Sequence, residues 1–132
     1  MLPSAGLEQL PALVEQARLA GLAVRVTVDR GARILPSGLD AAAYRIVQEA
    51  MTNVIKHAPG ATVQVLVRSD PRQLELCVDS TGGAEGAPVH AGAGYGLIGM
   101  RQRAQLYDGT LDAGPHDGGF LVQAHFPLGR VS

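Results

Sequence analysis

Hydrophobic residues recur along this chain with two periods, and the change from one to the other marks out the elements. Leu10, Leu13, Val14 and Ala17 fall at helical spacing, so a helix is predicted from about Pro11 to Ala20, with Gly21 as its C-terminal cap. Val24, Val26 and Val28 then alternate with Arg25, Thr27 and Asp29, the period-two pattern of a half-buried strand. Pro36-Ser37-Gly38 leads into a long helix, with Ser37 or Asp40 near its start. That helix is predicted over about Leu39 to His57, and Pro59-Gly60 ends it. Val63, Val65 and Val67 form a second alternating strand, and Leu74, Leu76 and Val78 a third. Asp70-Pro71-Arg72 turns the chain between them.

From Ser80 to Tyr95 the periodicity disappears. Gly82, Gly83, Gly86, Gly92 and Gly94 fall in this stretch, which reads as a mobile loop. A helix is predicted from about Gly96 to Tyr107, with Leu97, Met100, Ala104 and Tyr107 on one face. Two strands follow, Thr110 to Ala113 and Gly119 to Pro127, joined across Gly114-Pro115-His116-Asp117-Gly118. No strand is apolar throughout, so the sheet should be covered on one face only. Three helices on that face of a mixed β-sheet make a two-layer α/β (α+β) sandwich.

Composition narrows the function classes. The chain has 132 residues, 46% of them hydrophobic, which fits one soluble domain spanning 1–132. A net charge of -1, without a basic stripe, argues against nucleic-acid or membrane partners. Cys77 is the only cysteine, so neither a disulfide framework nor a thiolate metal cluster is expected. That fits a cytoplasmic setting. No run reaches the roughly 18 apolar residues of a membrane span. His57, His90, His116 and His125 do not share metal-ligand spacing.

The polar face of the long helix carries the chemistry. At about 100° per residue, Asn53 lies about 40° from Glu49, Lys56 about 20° the other way and His57 about 80° away. Ala43, Tyr44, Val47, Ala50, Met51 and Val54 occupy the opposite arc. A carboxylate and an amide oxygen suit a hard cation such as Mg2+, which keeps several waters and shares phosphate oxygens. Lysine one turn later offers phosphate a point charge. A solvated helix face is the plainer reading of the same wheel.

Gly94-Tyr95-Gly96 stands before Leu97-Ile98-Gly99-Met100-Arg101-Gln102-Arg103. Glycines before a helix N-terminus let backbone N–H groups approach a phosphate. The stretch is neither a Walker loop nor a dinucleotide fingerprint, because no Gly-Lys-Ser/Thr follows and no strand leads directly into it. Arg101 and Arg103 are open to three readings: phosphate ligands, partner contacts or solvated charges.

In this order the segments resemble the GHKL ATPase superfamily and, within it, the catalytic domain of NarL-class sensor histidine kinases. The resemblance covers about Leu7 to Leu128. The run from Tyr44 to Ala58, Tyr-Arg-Ile-Val-Gln-Glu-Ala-Met-Thr-Asn-Val-Ile-Lys-His-Ala, is similar to that family's N-box. The run from Gly94 to Ala104 is similar to its second glycine box. The resemblance implies a Bergerat ATP-binding fold with ATP and Mg2+ as cofactors. It makes Asn53 the Mg2+ ligand and Glu49 its catalytic partner. Lys56, His57, Gly82, Gly94, Gly96, Leu97 and Arg101 become ATP contacts, and about Gly83 to Ala93 a lid. Where the family's first glycine box has an aspartate for the adenine amino group, counting back from Gly82 gives Ser80, with Asp79 one residue early. Both are candidate ATP contacts. A strand alternates its faces, so Ser80 should point toward the pocket and Asp79 away from it.

The function implied is phosphoryl transfer from Mg-ATP to a histidine on a separate helical domain, for relay to a response regulator. The partners implied are that dimerisation and phosphoacceptor domain and the regulator. The helical domain has no counterpart in the 132 residues, and the parent kinase could be anchored in a membrane. Two alternatives remain: an anti-sigma-factor-type serine kinase, and a degenerate, non-catalytic interaction module.

Overall fold

A computed structural model describes residues 6–30, 35–83 and 89–128, with backbone alone at 89–95. A short 3-10 turn, Leu7–Gln9, leads into α1 (Leu10–Leu19) and β1 (Ala23–Arg30). After them come α2 (Ser37–His57), β2 (Thr62–Ser69), β3 (Gln73–Thr81), α3 (Val89–Leu106), β4 (Thr110–His116) and β5 (Gly119–Pro127). The five strands form one sheet in the order β1-β2-β3-β5-β4. Only β1 and β2 run parallel; the other neighbours are antiparallel. This is the mixed sheet with three helices that the alternating pattern predicts.

The core lies between the sheet and the helices. Val63, Val65 and Val67 of β2, Leu74, Leu76 and Val78 of β3, and Val122, Ala124 and Phe126 of β5 are all buried. They meet Ile46, Val47, Ala50 and Met51 of α2, Met100 and Ala104 of α3, and Leu10, Leu13, Val14 and Ala17 of α1. The intervening strand residues remain exposed or half-buried. β1 departs from this pattern along its length: Val24 is buried, Val26 half-buried and Val28 51% exposed.

The helix ends show how local chemistry sets the boundaries. α1 stops where Gly21 adopts φ +102, with the Leu22 N–H donating to the Ala17 carbonyl at 3.1 Å. α2 ends at His57, and Gly60 takes φ +81 in the turn to β2. At its other end, α2 begins at Ser37 without a side-chain cap. The Asp40 carboxylate accepts the Leu7 N–H at 3.1 Å instead, tying the Leu7–Gln9 turn to α2. In the hairpin between β2 and β3, Asp70 Oδ1 accepts the N–H groups of Arg72 and Gln73 at 2.7 and 3.0 Å.

Two sequence expectations need correction. The last hairpin is tighter than a five-residue connection. β4 continues through Gly114, Pro115 and His116, and the turn is Asp117-Gly118 at φ 47 and 79. Pro115 is tolerated in the strand because β4 is the sheet's edge. The larger difference is α3, which starts at Val89 rather than Gly96. Residues 84–88, the rest of the expected loop, lie outside the described residues.

Cys77 sits half-buried on the face of β3 opposite the helices. Burial pushes its thiol pKa up, and the Asp79 and Glu75 carboxylates along the same face push it further. Less thiolate is therefore present at any given pH. Alkylation by iodoacetamide at pH 8.5 should be slower in the folded protein than in the urea-unfolded chain. Its rate–pH curve should be displaced upward, and equal rates in both states would contradict this environment.

Candidate functional site

The site is built where α2, α3 and the end of β3 converge. α2 places Glu49 and Asn53 on its half-buried polar face, one turn apart. Lys56 is exposed and His57 half-buried at the same end of the helix. α3 runs antiparallel to α2. Its C-terminal flank brings Tyr107 over Gly38, and its middle brings Gly96 against the polar pair.

The approach at Gly96 is close. A Cβ there would lie 3.0 Å from Asn53 Nδ2, 3.5 Å from Asn53 Oδ1 and 3.2 Å from Glu49 Oε1. The amide and the carboxylate thus converge on one point, and only a residue without a side chain leaves that point clear. The two motifs are 43 residues apart from Asn53 to Gly96 and meet through helix packing alone.

β3 ends beside them. Gly82 and Gly83 both hold positive φ, +72 and +86. A Cβ on Gly83 would stand 2.7 Å from the Ala58 carbonyl oxygen, so the chain leaving β3 lies directly on the C-terminal end of α2. Ser80, two residues earlier, is 4% exposed and faces the helix layer. Its hydroxyl donates to the Phe120 carbonyl at 3.2 Å. With the proton so directed, the oxygen's lone pairs remain available as acceptors. Asp79 points to the other face, where its Oδ1 is enclosed with no hydrogen-bond partner among the described residues.

Not every residue singled out in the sequence arrives at this point. Arg101 lies about 140° around α3 from Gly96, taking about 100° per residue. Its Nε donates to the Leu111 carbonyl at 3.3 Å, which directs the guanidinium toward β4. Leu97 packs partly against the core. Gly94 is inside α3 rather than before it, and so is Gly96. The picture of glycines preceding a helix N-terminus is therefore replaced in this structure by glycines within a helix. Of the lid expected from Gly83 to Ala93, Val89 to Ala93 are helical. Gly83 is the expected start of the lid; its seat against the Ala58 carbonyl has no signal in the sequence beyond the glycine pair. A shallow depression of about 140 Å³ between β4 and β5, lined by Asp112, His116 and Gln123 among others, involves none of the residues expected to contact ATP or Mg2+.

Comparison with known proteins gives this two-layer sandwich, with its polar helix face against a glycine-rich helix, a family. Residues 38–130 match the family described as histidine kinase-, DNA gyrase B-, and HSP90-like ATPase, and the chain belongs to it. It is accordingly an ATP-binding domain. Among curated proteins it is similar to two sensor histidine kinases of Bacillus subtilis (strain 168). It is 29% identical over 126 residues to YxjM and 32% identical over 126 residues to LnrJ. Those matches cover 93% and 92% of this chain but 30% of each relative, so the chain spans about a third of their length. A blue-light activated histidine kinase from Erythrobacter litoralis shares the fold, with a TM-score of 0.69 at 23% identity. That likeness covers 94% of this chain and 46% of the other. Among the described residues no helix is long and apolar enough to cross a membrane.

Proposed function

We propose that this chain is the ATP-binding catalytic domain of a two-component sensor histidine kinase of the NarL class, acting in the cytoplasm. In this reading it passes the γ-phosphoryl group of Mg-ATP to a histidine on a separate dimerising helical domain, for relay to a response regulator. The observation that carries it is the convergence of Glu49 and Asn53 on one point against Gly96.

The donor types suit Mg2+: Glu49 Oε1 and the Asn53 side-chain amide, its Nδ2 nearer than its Oδ1, stand beside a point that a Cβ on Gly96 would fill, and an amide oxygen with a carboxylate is a ligand pair for that ion. Asn53 would hold the ion and Glu49 would orient its water; Mg2+ when bound supplies charge neutralisation to the phosphates. Lys56 and His57, one turn further along α2, place further positive or hydrogen-bonding groups beside the phosphates. Ser80 receives the adenine amino group through its free lone pairs, and Gly82-Gly83 carry the chain past the base. Phosphoryl transfer makes few covalent demands on the protein, so positioning and charge supply most of its share.

The assay is direct. The chain alone should bind Mg-ATP in calorimetry yet acquire no acid-labile label from γ-labelled ATP. Adding the helical domain of its parent kinase should produce phosphohistidine in trans, at low efficiency because the tether is lost. Label on the chain alone would overturn this assignment. Transfer to a serine of an anti-sigma antagonist would favour the serine-kinase reading, and absence of nucleotide binding a non-catalytic module.

The adenine contact has its own test. Ser80→Ala should weaken ATP about fivefold, from the loss of a hydrogen bond worth about 1 kcal/mol. Asp79→Ala should leave affinity unchanged, since that side chain faces away from the helices. The reverse pair of results would make Asp79 the adenine ligand.

A further inference from the structure

β1 lies at one edge of the sheet, so half of its backbone groups pair with β2 and the other half face outward. The Ala23 N–H donates to the Ala61 carbonyl, just before β2, at 3.1 Å. Successive residues of a strand point their backbone groups to opposite edges. Ala23, Arg25, Thr27 and Asp29 therefore bond β2, while Val24, Val26, Val28 and Arg30 face outward. Among the described residues Arg18 alone donates to this outer row, its Nη2 reaching the Val24 carbonyl at 2.8 Å.

The two edges of the sheet differ. β4, the other edge, is interrupted by Pro115, a residue that discourages pairing with a further strand. β1 runs eight residues in unbroken register with β2 and holds no proline. On its helix side the valines emerge progressively, from buried Val24 through half-buried Val26 to Val28 at 51% exposure. On its other side Arg25, Thr27 and Asp29 are all exposed.

We propose that β1 pairs antiparallel with β1 of a second copy of this chain, about a two-fold axis at Thr27, so that one sheet continues through both copies. Antiparallel pairing requires outward-facing residues to oppose one another, so the axis must pass through a residue and not between two. An axis at Arg25 or at Asp29 would set like charges against each other. One at Val26 or Val28 would leave the charges without a facing partner of opposite sign. At Thr27 it sets Arg25 opposite Asp29 of the second copy, and symmetry repeats that pair. The same register lays Val26 against Val28 of the second copy, which covers the exposed valine, and Thr27 against its own equivalent. Facing opposite charges and β-branched side chains favour such a pairing, and like charges oppose it. A patch that meets itself in this way is what a two-fold dimer needs. Arg18 can stay in place, because the Val24 carbonyl keeps a second lone pair for the facing Arg30 N–H. β2 stands between β1 and β3, so the pairing leaves the site at Gly96 uncovered and does not depend on its nucleotide reading.

The test is sedimentation equilibrium of the whole chain and of two charge variants. The wild-type chain should show a monomer–dimer equilibrium. Arg25→Asp sets two carboxylates opposite each other and should raise the dimer Kd about tenfold or more, and Asp29→Arg should do the same with two cations. An equimolar mixture of the two variants should recover association, because each supplies the charge that the other lacks. In a Cys77→Ser background, Thr27→Cys should form an intermolecular disulfide under mild oxidation, since facing residues of a non-hydrogen-bonded pair lie about 4.5 Å apart. Arg25→Cys should not, because its two copies stand four residues apart in register, about 13 Å. Any of four results would overturn the pairing: a wild-type monomer up to about 1 mM, association that neither charge variant weakens, a mixture no more associated than its components, or cross-linking as ready from Arg25→Cys as from Thr27→Cys.

Discussion

Asn53→Asp should raise the Kd for Mg-ATP by a hundredfold or more while leaving the fold intact. Asn53 and Glu49 converge on one point beside Gly96, so an aspartate at 53 would set a second carboxylate against the first. Two like charges about 4 Å apart repel by about 4 kcal/mol at an effective dielectric constant of 20. The substitution also removes the amide N–H2, the only donor of that side chain, and turns further negative charge toward the phosphates. Because Asn53 is half-exposed and outside the core, urea unfolding should change by less than about 1 kcal/mol. Calorimetry beside an unfolding curve separates the two effects. An unchanged affinity would remove Asn53 from the metal site.

The second large effect concerns stability. Phe126 is fully buried, and it heads the largest enclosed side chains of the core. It lies where β5 passes beneath the turn after α3, so close that a Cβ on Gly109 would sit 2.5 Å from its ring. Phe126→Ala should cost about 3–5 kcal/mol, the transfer free energy of the ring plus the cavity it leaves. For a domain whose total stability is of order 5–15 kcal/mol, much of the population would unfold near physiological temperature. Urea denaturation reads this directly. A loss below about 1 kcal/mol would mean that the surrounding helices collapse onto the vacated space.

Ser80 shows how far alternation carries. The pattern Leu74-Leu76-Val78-Ser80 puts the serine on the core face, and its burial at 4% exposure agrees. What the pattern could not contain is the Phe120 carbonyl that takes its proton, because that partner comes from a strand 40 residues away. Arg101 shows the converse. Its neighbourhood to the glycine box in sequence made it a phosphate candidate, yet helical rotation carries it to the Leu111 carbonyl instead. Adjacency along a helix is not adjacency in space, since successive residues point about 100° apart.

The periodic parts of this protein were determined by the sequence itself. Amphipathic spacing settled α1 and α2, alternation settled β2, β3 and β5 and their covered face, and Gly21 and Gly60 settled the C-terminal end of α1 and the turn after α2. These are local preferences, and each reads out over a few neighbouring residues. Tertiary structure decided the rest. It brought Gly96 onto Asn53 and Glu49, seated Gly83 on the end of α2, and extended β4 through Pro115 at an open edge. It also decided where α3 begins. From Val89 to Gly96 the glycines make the local preference for helix weak, so the outcome depends on what lies against the segment rather than on the segment itself.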